Sequence, residues 1–590
     1  MTAADPRVRS HAASDVRGTL SRHPMSMPRS AVPRRLAAPL ALAVALAFGA
    51  CTSGRAAPAP APTPTPTTGA PNTTTPPATA STPVPAVTAD EPPQDWHLLD
   101  LAADGYAGIS LRKAERELLA GRQPQRAVLV AVIDGGVDTS HADLRANLWT
   151  NPRETATNGS SGAADGDGDG LAGDVHGWNF IGGRDGRDVD HDTYEVTRLQ
   201  VRCQARAMGG DSLTSVCPRV ATEYEEAREN ALREQQQVVS IANALDAAMV
   251  ELRAAIHDSV TTARVRALSS SNARVQQARS LYLQLAAGGI TPQAIAEARK
   301  DVESRVKYGL NLNYDPRPIV GDDPANLGQR TYGNSDVMGP DAMHGTHVSG
   351  IIAGVRGNGV GLDGIAPVGT RVMMVRAVPD GDERDKDIAN AIRYAVDHGA
   401  QIINMSFGKG WSPQKSAVDD AVKYADSKGV LLVHAAGNDG EDIATKPSFP
   451  TPFYVTGGHA QNWIEVGASS WKGGEKLAAE FSNWNGERVD LFAPGQDIYS
   501  TVPGGYERLS GTSMASPVVA GAAALLMSYF PELTAADVKR VLVASAARHA
   551  TQRVVRPGSE DTRVPFGSLS TSGGIVNVYE AVKMVLEKKM

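Results

Sequence analysis

Four short segments carry residues whose types could do chemistry together. They are Asp134 in VIDGGVD, His344 in HGTHVSG, Asn438 in AAGN and Ser513 in GTSMASP. A serine hydroxyl is a poor nucleophile unless a neighbouring imidazole takes its proton. The imidazole in turn needs a buried carboxylate to fix its tautomer and to stabilise its charged form. A tetrahedral intermediate needs hydrogen-bond donors aimed at its oxyanion, and an Asn amide is one such donor. Each residue alone also has a bland explanation. An Asp after a strand or an Asn after a Gly is commonly a turn former, and a Ser at a helix start is commonly an N-cap.

These residues must be positioned by elements, and the pattern around them is regular. Ala127–Ile133 is a continuous apolar run, AVLVAVI, of the kind a buried parallel strand shows. Similar runs occur at Val372–Val378, Gln401–Asn404, Val430–His434, Ile464–Ala468 and Val489–Phe492. Helical patterns lie between and after them, at Asp387–His398, Ser416–Lys428, Ala515–Phe530 and Ala535–Ala547. Thr534 and Asp537 offer a capping box to the last. Alternation of this kind predicts an α/β fold, a doubly wound and mostly parallel sheet. Such a sheet carries its site at the carboxyl ends of its strands, which is where all four segments fall.

The four segments, in the order Asp, His, Ser, resemble the subtilase (subtilisin-like) family of serine peptidases. The resemblance covers about Ala127–Leu586 apart from an insert. It implies a serine endopeptidase acting on peptide or protein substrates. Asp134 is expected to orient His344, His344 to act as base and then acid, and Ser513 to be the nucleophile. Asn438 and the Ser513 N–H are expected to hold the oxyanion. His347, three residues past the base, reads as structural. The resemblance further implies that Ser406, Phe407 and Gly408 line one wall of the substrate groove and Ala435, Ala436 and Gly437 the other. Asp439 is a candidate for biasing the site toward basic side chains, or an indifferent solvated charge. A carboxyl-serine peptidase would need a Glu base, which the HGTH context of His344 does not support. The reading from another class is a catalytically silent scaffold that binds partners through its insert.

No cofactor is expected for the chemistry, but structural calcium is. Asp143, in HADL, matches a calcium ligand of the family, and Asn358 is a second candidate. Asp165, Asp167 and Asp169 form DGDGDG, which opens like an EF-hand loop but has His176 where Glu belongs.

His344 follows Asp134 by 210 positions, far more than in simple subtilases. The extra material is an insert at 185–330. Val238, Ala242, Leu245, Met249, Leu252 and Ile256, then Val275, Ala278, Tyr282 and Leu285, recur at heptad-like spacing. They predict a helical hairpin about 40–50 Å long, either a satellite packed on the core or an arm for a protein partner. Cys203 and Cys217 lie in it and could pair if the chain is exported.

Export is what the N-terminus implies. Residues 1–50 read as an extension and signal peptide, with Arg29, Arg34 and Arg35 before the 15-residue apolar run Leu36–Ala50. The run ends at Phe-Gly-Ala-Cys51, which resembles a bacterial lipobox with Cys51 as the lipidated residue. Thr52 after it favours the outer membrane of a bacterial envelope. Residues 51–94, rich in Pro, Thr and Ala, read as an extended stalk, and 95–590 as the peptidase domain interrupted by the insert. Only 32 residues, Asp95–Arg126, separate stalk and first strand, which is short for a folded propeptide; Leu111–Leu119 is expected to be a helical docking segment. The 590-residue chain has a formal charge of −7 and no long basic run in its folded part, so nucleic acid is not an expected partner.

Overall fold

The computed structural model describes residues 83–154, 165–206, 215–288 and 290–589. The signal-like segment, Cys51 and most of the Pro-rich tract lie outside the described residues.

Seven parallel strands form the body of a nine-stranded sheet. In chain order they are β1 (Leu129–Asp134), β2 (Gly177–Asn179), β3 (Arg371–Arg376), β4 (Ile402–Met405), β5 (Leu431–Ala435), β6 (Trp463–Ser469) and β7 (Leu491–Pro494). Across the sheet the order is 2-3-1-4-5-6-7, and two-residue strands at Gly574–Ile575 and Ala547–Arg548 extend it beyond β7. The last of these is antiparallel. The expected strands and helices are therefore present, with ends shifted by no more than three residues. The physical reason for the match is burial on both faces: β4, β5, β6 and β7 are buried along their whole length. The helices Met343–Ala353 and Thr512–Tyr529 cover one face, and Asp385–Asp397 and Lys415–Ser427 cover the other. Thr534 and Asp537 do form the capping box. The chain runs from β1 to one side and returns to place β4 on the other, so a crevice opens between β1 and β4 at their carboxyl ends.

The insert differs from a simple hairpin. One helix of 40 residues, Cys217–Ile256, about 60 Å at 1.5 Å per residue, is packed by two shorter ones, Ala273–Ala287 and Pro292–Ser304. The heptad-like seam forms their core, with Val238, Ala242, Leu245 and Leu252 buried against Ala278, Tyr282 and Leu285; Met249 and Ile256 pack at its edge. The third helix supplies Ile295, Ala298 and Val302. The hairpin is longer than expected because continuous helix extends nearly six turns before Val238, back to Cys217. Cys203 and Cys217 form a disulfide across the start of this unit.

Docking begins earlier than residue 95. Val84 is buried with Leu477, Val554 and Phe566, and its N–H donates to the Gln552 side chain at 2.8 Å. Residues 83–94 thus belong with the body rather than the stalk, because an apolar Val on an extended tract has a pocket to fill. The Leu111–Glu117 helix packs on the final helix Val578–Leu586, and Trp96, Leu98 and Ile109 enter the main core.

Candidate active site

β1 ends at Asp134, whose carboxylate is 3% exposed. His344 is the second residue of the Met343–Ala353 helix, and its Nδ1 lies 2.8 and 2.9 Å from the two Asp134 oxygens. That close approach depends on Gly345. A Cβ there would sit 2.2 Å from the Gly136 carbonyl oxygen and 3.2 Å from Asp134, forcing the helix off the strand end. The His344 side chain stays 35% exposed, so its other nitrogen faces the crevice.

Ser513 is the second residue of the Thr512–Tyr529 helix. Its N–H is among the first four of the helix, which have no partner within it. The hydroxyl donates to the Ser406 carbonyl oxygen at 3.1 Å, and the Ser406 hydroxyl donates to the Ser513 carbonyl oxygen at 2.9 Å. These reciprocal bonds fasten the helix start to the end of β4. Asn438 lies just beyond β5. Its side-chain oxygen accepts from the Thr512 N–H at 2.8 Å and the Thr512 hydroxyl at 3.0 Å. Because both are donors, the oxygen must face them, and the amide N–H2 is left to point elsewhere.

The two expected groove walls are neighbours in the sheet. Ser406–Gly408 continues β4 and Ala435–Gly437 ends β5, with Met405 paired to His434. Gly437 has φ +105°, and a Cβ there would meet the Asn483 amide at 2.3 Å, so only glycine fits. Asp439 is half-buried, and burial pushes its carboxyl above the usual range. His347 is fully buried, its Nε2 facing the carbonyl oxygens of Ile498 and Glu507 at 3.0 and 3.2 Å, and burial holds its imidazole down to about 4.

Several positioning residues escaped the sequence reading. Asn404 bonds Ser406 at 2.9 Å and accepts from Ser516 at 2.8 Å, tying β4 to the nucleophile's helix. Its signal was a polar residue inside the apolar run QIINM. Asn483 donates to the Ala436 carbonyl at 2.9 Å and accepts from the N–H groups of Asp439 and Glu441 at 3.0 and 2.9 Å, holding the loop that carries Asn438. His434 Nε2 faces the Phe407 carbonyl oxygen at 3.0 Å and its Nδ1 faces Glu465 at 2.9 Å. Nothing in the local pattern marks Asn483 or His434, because their partners are distant in sequence.

The insert is rooted beside the same groove. Lys409, directly after Gly408, is buried and bonds Glu195 and Asp385 at 2.9 Å each. Burial works against its charge, but those carboxylates hold the ammonium pKa above its usual value. Glu195 begins the helix Glu195–Arg206, which the disulfide joins to the long helix. From that long helix Glu223 accepts from the Trp411 indole at 2.7 Å and Arg219 stacks over its ring.

Asp143 and Asn358 do come together, the Asn358 amide lying 2.5 Å from Asp143 Oδ1. Asp143 Oδ2 is buried without a hydrogen-bond partner, and burial raises its pKa. An orphaned carboxylate oxygen beside an Asn fits an oxygen-ligated cation. Asp165, Asp167 and Asp169 do not share one centre. Asp165 groups with Glu154 and Asp167, whereas Asp169 groups with Asp167, Asp174 and His398.

A sequence profile described as the subtilase family matches residues 125–567. A thermophilic serine proteinase from Bacillus sp. (strain AK1) is 45% identical over 187 residues, 31% of this chain and 42% of that protein. Thermitase from Thermoactinomyces vulgaris is 37% identical over 244 residues, 41% of this chain and 75% of that protein. An intracellular serine protease from Paenibacillus polymyxa is 37% identical over 235 residues, 37% of this chain and 68% of that protein. The chain thus spans less than half the length of the first of these relatives.

Proposed function

From the premise that this chain belongs to the subtilase family, we propose that it is a serine endopeptidase. The observation that carries the reading is His344, held by both oxygens of a buried Asp134 and facing the crevice where Ser513 opens its helix. In the reaction the Ser513 hydroxyl turns from the Ser406 carbonyl to His344 Nε2, which takes its proton as the oxygen attacks the substrate carbonyl. Asp134 keeps the Nδ1 proton in place and stabilises the imidazolium. The oxyanion receives hydrogen bonds from the Asn438 amide and the Ser513 N–H. His344 then returns the proton to the leaving amine, and water repeats the sequence on the acyl-enzyme. A fluorophosphonate probe tests this directly. Labelling of the wild type that disappears in Ser513→Ala is expected; a folded wild type that resists the probe would favour a silent scaffold.

Peptide chains are the substrates, bound along Ser406–Gly408 and Ala435–Gly437. The insert, rooted through Lys409 and Trp411 beside the first of these segments, controls which proteins reach the groove. Deleting 221–305 is expected to change the ratio of casein to short-peptide hydrolysis; an unchanged ratio refutes this role. Asp143 and Asn358 hold a structural calcium ion, whose charge would pair the orphaned Asp143 oxygen. EGTA is then expected to lower the melting temperature, and an unmoved midpoint counts against the ion. The chain is tethered to a bacterial envelope through lipidated Cys51, at the outer membrane, a reading supported by the signal-like sequence. Labelled palmitate that enters Cys51→Ala as well as the wild type would exclude it.

A further inference from the structure

The wall Ser406–Gly408 runs past the end of β4, whose pairing with β5 stops at Met405 and His434. Three contacts hold it in place of a strand. At the near end Ser406 exchanges hydrogen bonds with Ser513. At the far end Lys409 exchanges backbone hydrogen bonds with Phe449 at 2.8 and 3.0 Å. Between them the Phe407 carbonyl oxygen faces His434 Nε2 at 3.0 Å. We propose that His434 and Glu465 are positioning residues for the substrate. Sharing one buried proton, they turn the Phe407–Gly408 peptide so that the Gly408 N–H faces the groove and receives a substrate carbonyl. The inference rests on the peptidase reading above and adds a pair that acts from behind the wall.

The protons follow from the partners. A carbonyl oxygen only accepts, so Nε2 carries a hydrogen and donates to Phe407. Nδ1 faces Glu465 Oε1 at 2.9 Å, and Glu465 Oε2 accepts from the Trp463 indole N–H at 2.8 Å. A second proton therefore lies between Nδ1 and Oε1, as imidazolium with carboxylate or as imidazole with carboxylic acid. Both forms keep the Nε2 hydrogen on the carbonyl. Without that proton the carboxylate would draw the remaining one to Nδ1, and Nε2 would turn a lone pair on the Phe407 oxygen. The nearby Asp490 is matched separately: it accepts from the Glu465 N–H at 2.8 Å and pairs with Lys539 at 3.3 Å.

Covalent geometry carries the effect outward. Among the described residues the cis peptide bond is Phe449–Pro450, so the 407–408 bond is trans. A trans peptide is planar, with its C=O and N–H on opposite sides. A carbonyl drawn inward to His434 thus sends the Gly408 N–H outward. Gly408 is exposed, and its N–H and C=O have no hydrogen-bond partner among the described residues. That is a strand edge open to another chain, and an extended peptide pairs with such an edge through its backbone. Core packing does not account for the pair. His434 and Glu465 are cross-strand neighbours on β5 and β6, both buried, and the preceding pair on that face is Leu432 with Trp463. Burying a histidine and a carboxylate there costs more desolvation than two apolar side chains would.

The test is steady-state kinetics on two substrates, a tetrapeptide p-nitroanilide and p-nitrophenyl acetate. The acetate is too small to reach Gly408, about 7 Å along the wall from Ser406. In His434→Leu and Glu465→Leu the ratio of kcat/KM on the peptide to that on the ester should fall at least about fivefold, with the peptide KM carrying the loss. Glu465→Gln has an amide that can donate to Nδ1 and still accept from Trp463. It should bring the ratio back to within about twofold of wild type. If His434→Leu does not fold, the Glu465→Leu and Glu465→Gln pair decides alone. A ratio unchanged in the Leu variants, a peptide loss in kcat alone, or Glu465→Gln as impaired as Glu465→Leu overturns the proposal. The peptidase reading would fail differently, in a folded wild type inert to both the fluorophosphonate probe and the ester.

Discussion

The two edges of this sheet each hold a histidine among aspartates, and they hold it in opposite ways. At the carboxyl edge His344 gives its Nδ1 to a single carboxylate and keeps Nε2 in an open crevice. At the amino edge His398 gives its Nδ1 to a backbone carbonyl and turns Nε2 toward three carboxylates. One carboxylate orients an imidazole and stabilises the charge it gains in a reaction, leaving the second nitrogen to exchange protons. Three carboxylates around the second nitrogen enclose it instead, with Asp174 fully buried and the His398 side chain nine-tenths buried. The number of acids and the nitrogen they face separate an imidazole open to a crevice from an enclosed one.

That contrast is broken or sharpened most strongly at the nucleophile. Ser513→Ala is expected to lower kcat on a peptide substrate by about 10⁶, the scale seen when such a nucleophile is lost. Steady-state kinetics checks this; a loss under about tenfold would remove Ser513 from the chemistry. Asp134→Asn should keep the geometry but favour the wrong tautomer of His344, lowering kcat by about 10⁴. If it cost nothing, a single carboxylate would not be what makes the carboxyl edge reactive. Asn438→Ala comes next, at about 10²–10³ in kcat with KM nearly unchanged, because the lost donor acts on charge that appears only in the transition state. A rise in KM alone would instead make Asn438 a substrate-binding residue.

The two edges also differ in how far the sequence disclosed them. Asp134, His344, Asn438 and Ser513 each sit in a short motif at the end of a strong apolar or helical pattern, so their elements and their convergence could be read. The DGDGDG loop was visible as three acids, but its division was not. Asp174 lies five residues past Asp169 and His398 another 224 positions on, joined only when β2 and β4 take their places. Strand order brings them to one edge, and strand order is not a local property. The insert was legible as helix because heptad spacing is local. Its third helix and its root on Lys409 were not, since Glu195, Asp385 and Lys409 meet through tertiary packing alone.

The smallest of these effects is the finest probe of the comparison. Asn483 touches no reacting group; it holds the backbone at Ala436, Asp439 and Glu441 while Thr512 independently fixes the Asn438 side chain. Replacing Asn483 with Ala frees the loop but leaves the amide tethered at its far end. A misplacement of about 1 Å can cost up to 10² in rate, and with Thr512 retained we expect about tenfold in kcat and continued fluorophosphonate labelling. The lost buried hydrogen bonds should also destabilise the fold by about 1–3 kcal/mol, read from the denaturation midpoint at unchanged slope. Asn483→Asp keeps the acceptor for the Asp439 and Glu441 N–H groups and should restore more of the rate than of the stability, since it loses the donor to the Ala436 carbonyl. Wild-type rates in both variants would mean that the Thr512 tether alone sets the oxyanion donor. The carboxyl edge would then tolerate motion of the very loop that carries Asn438.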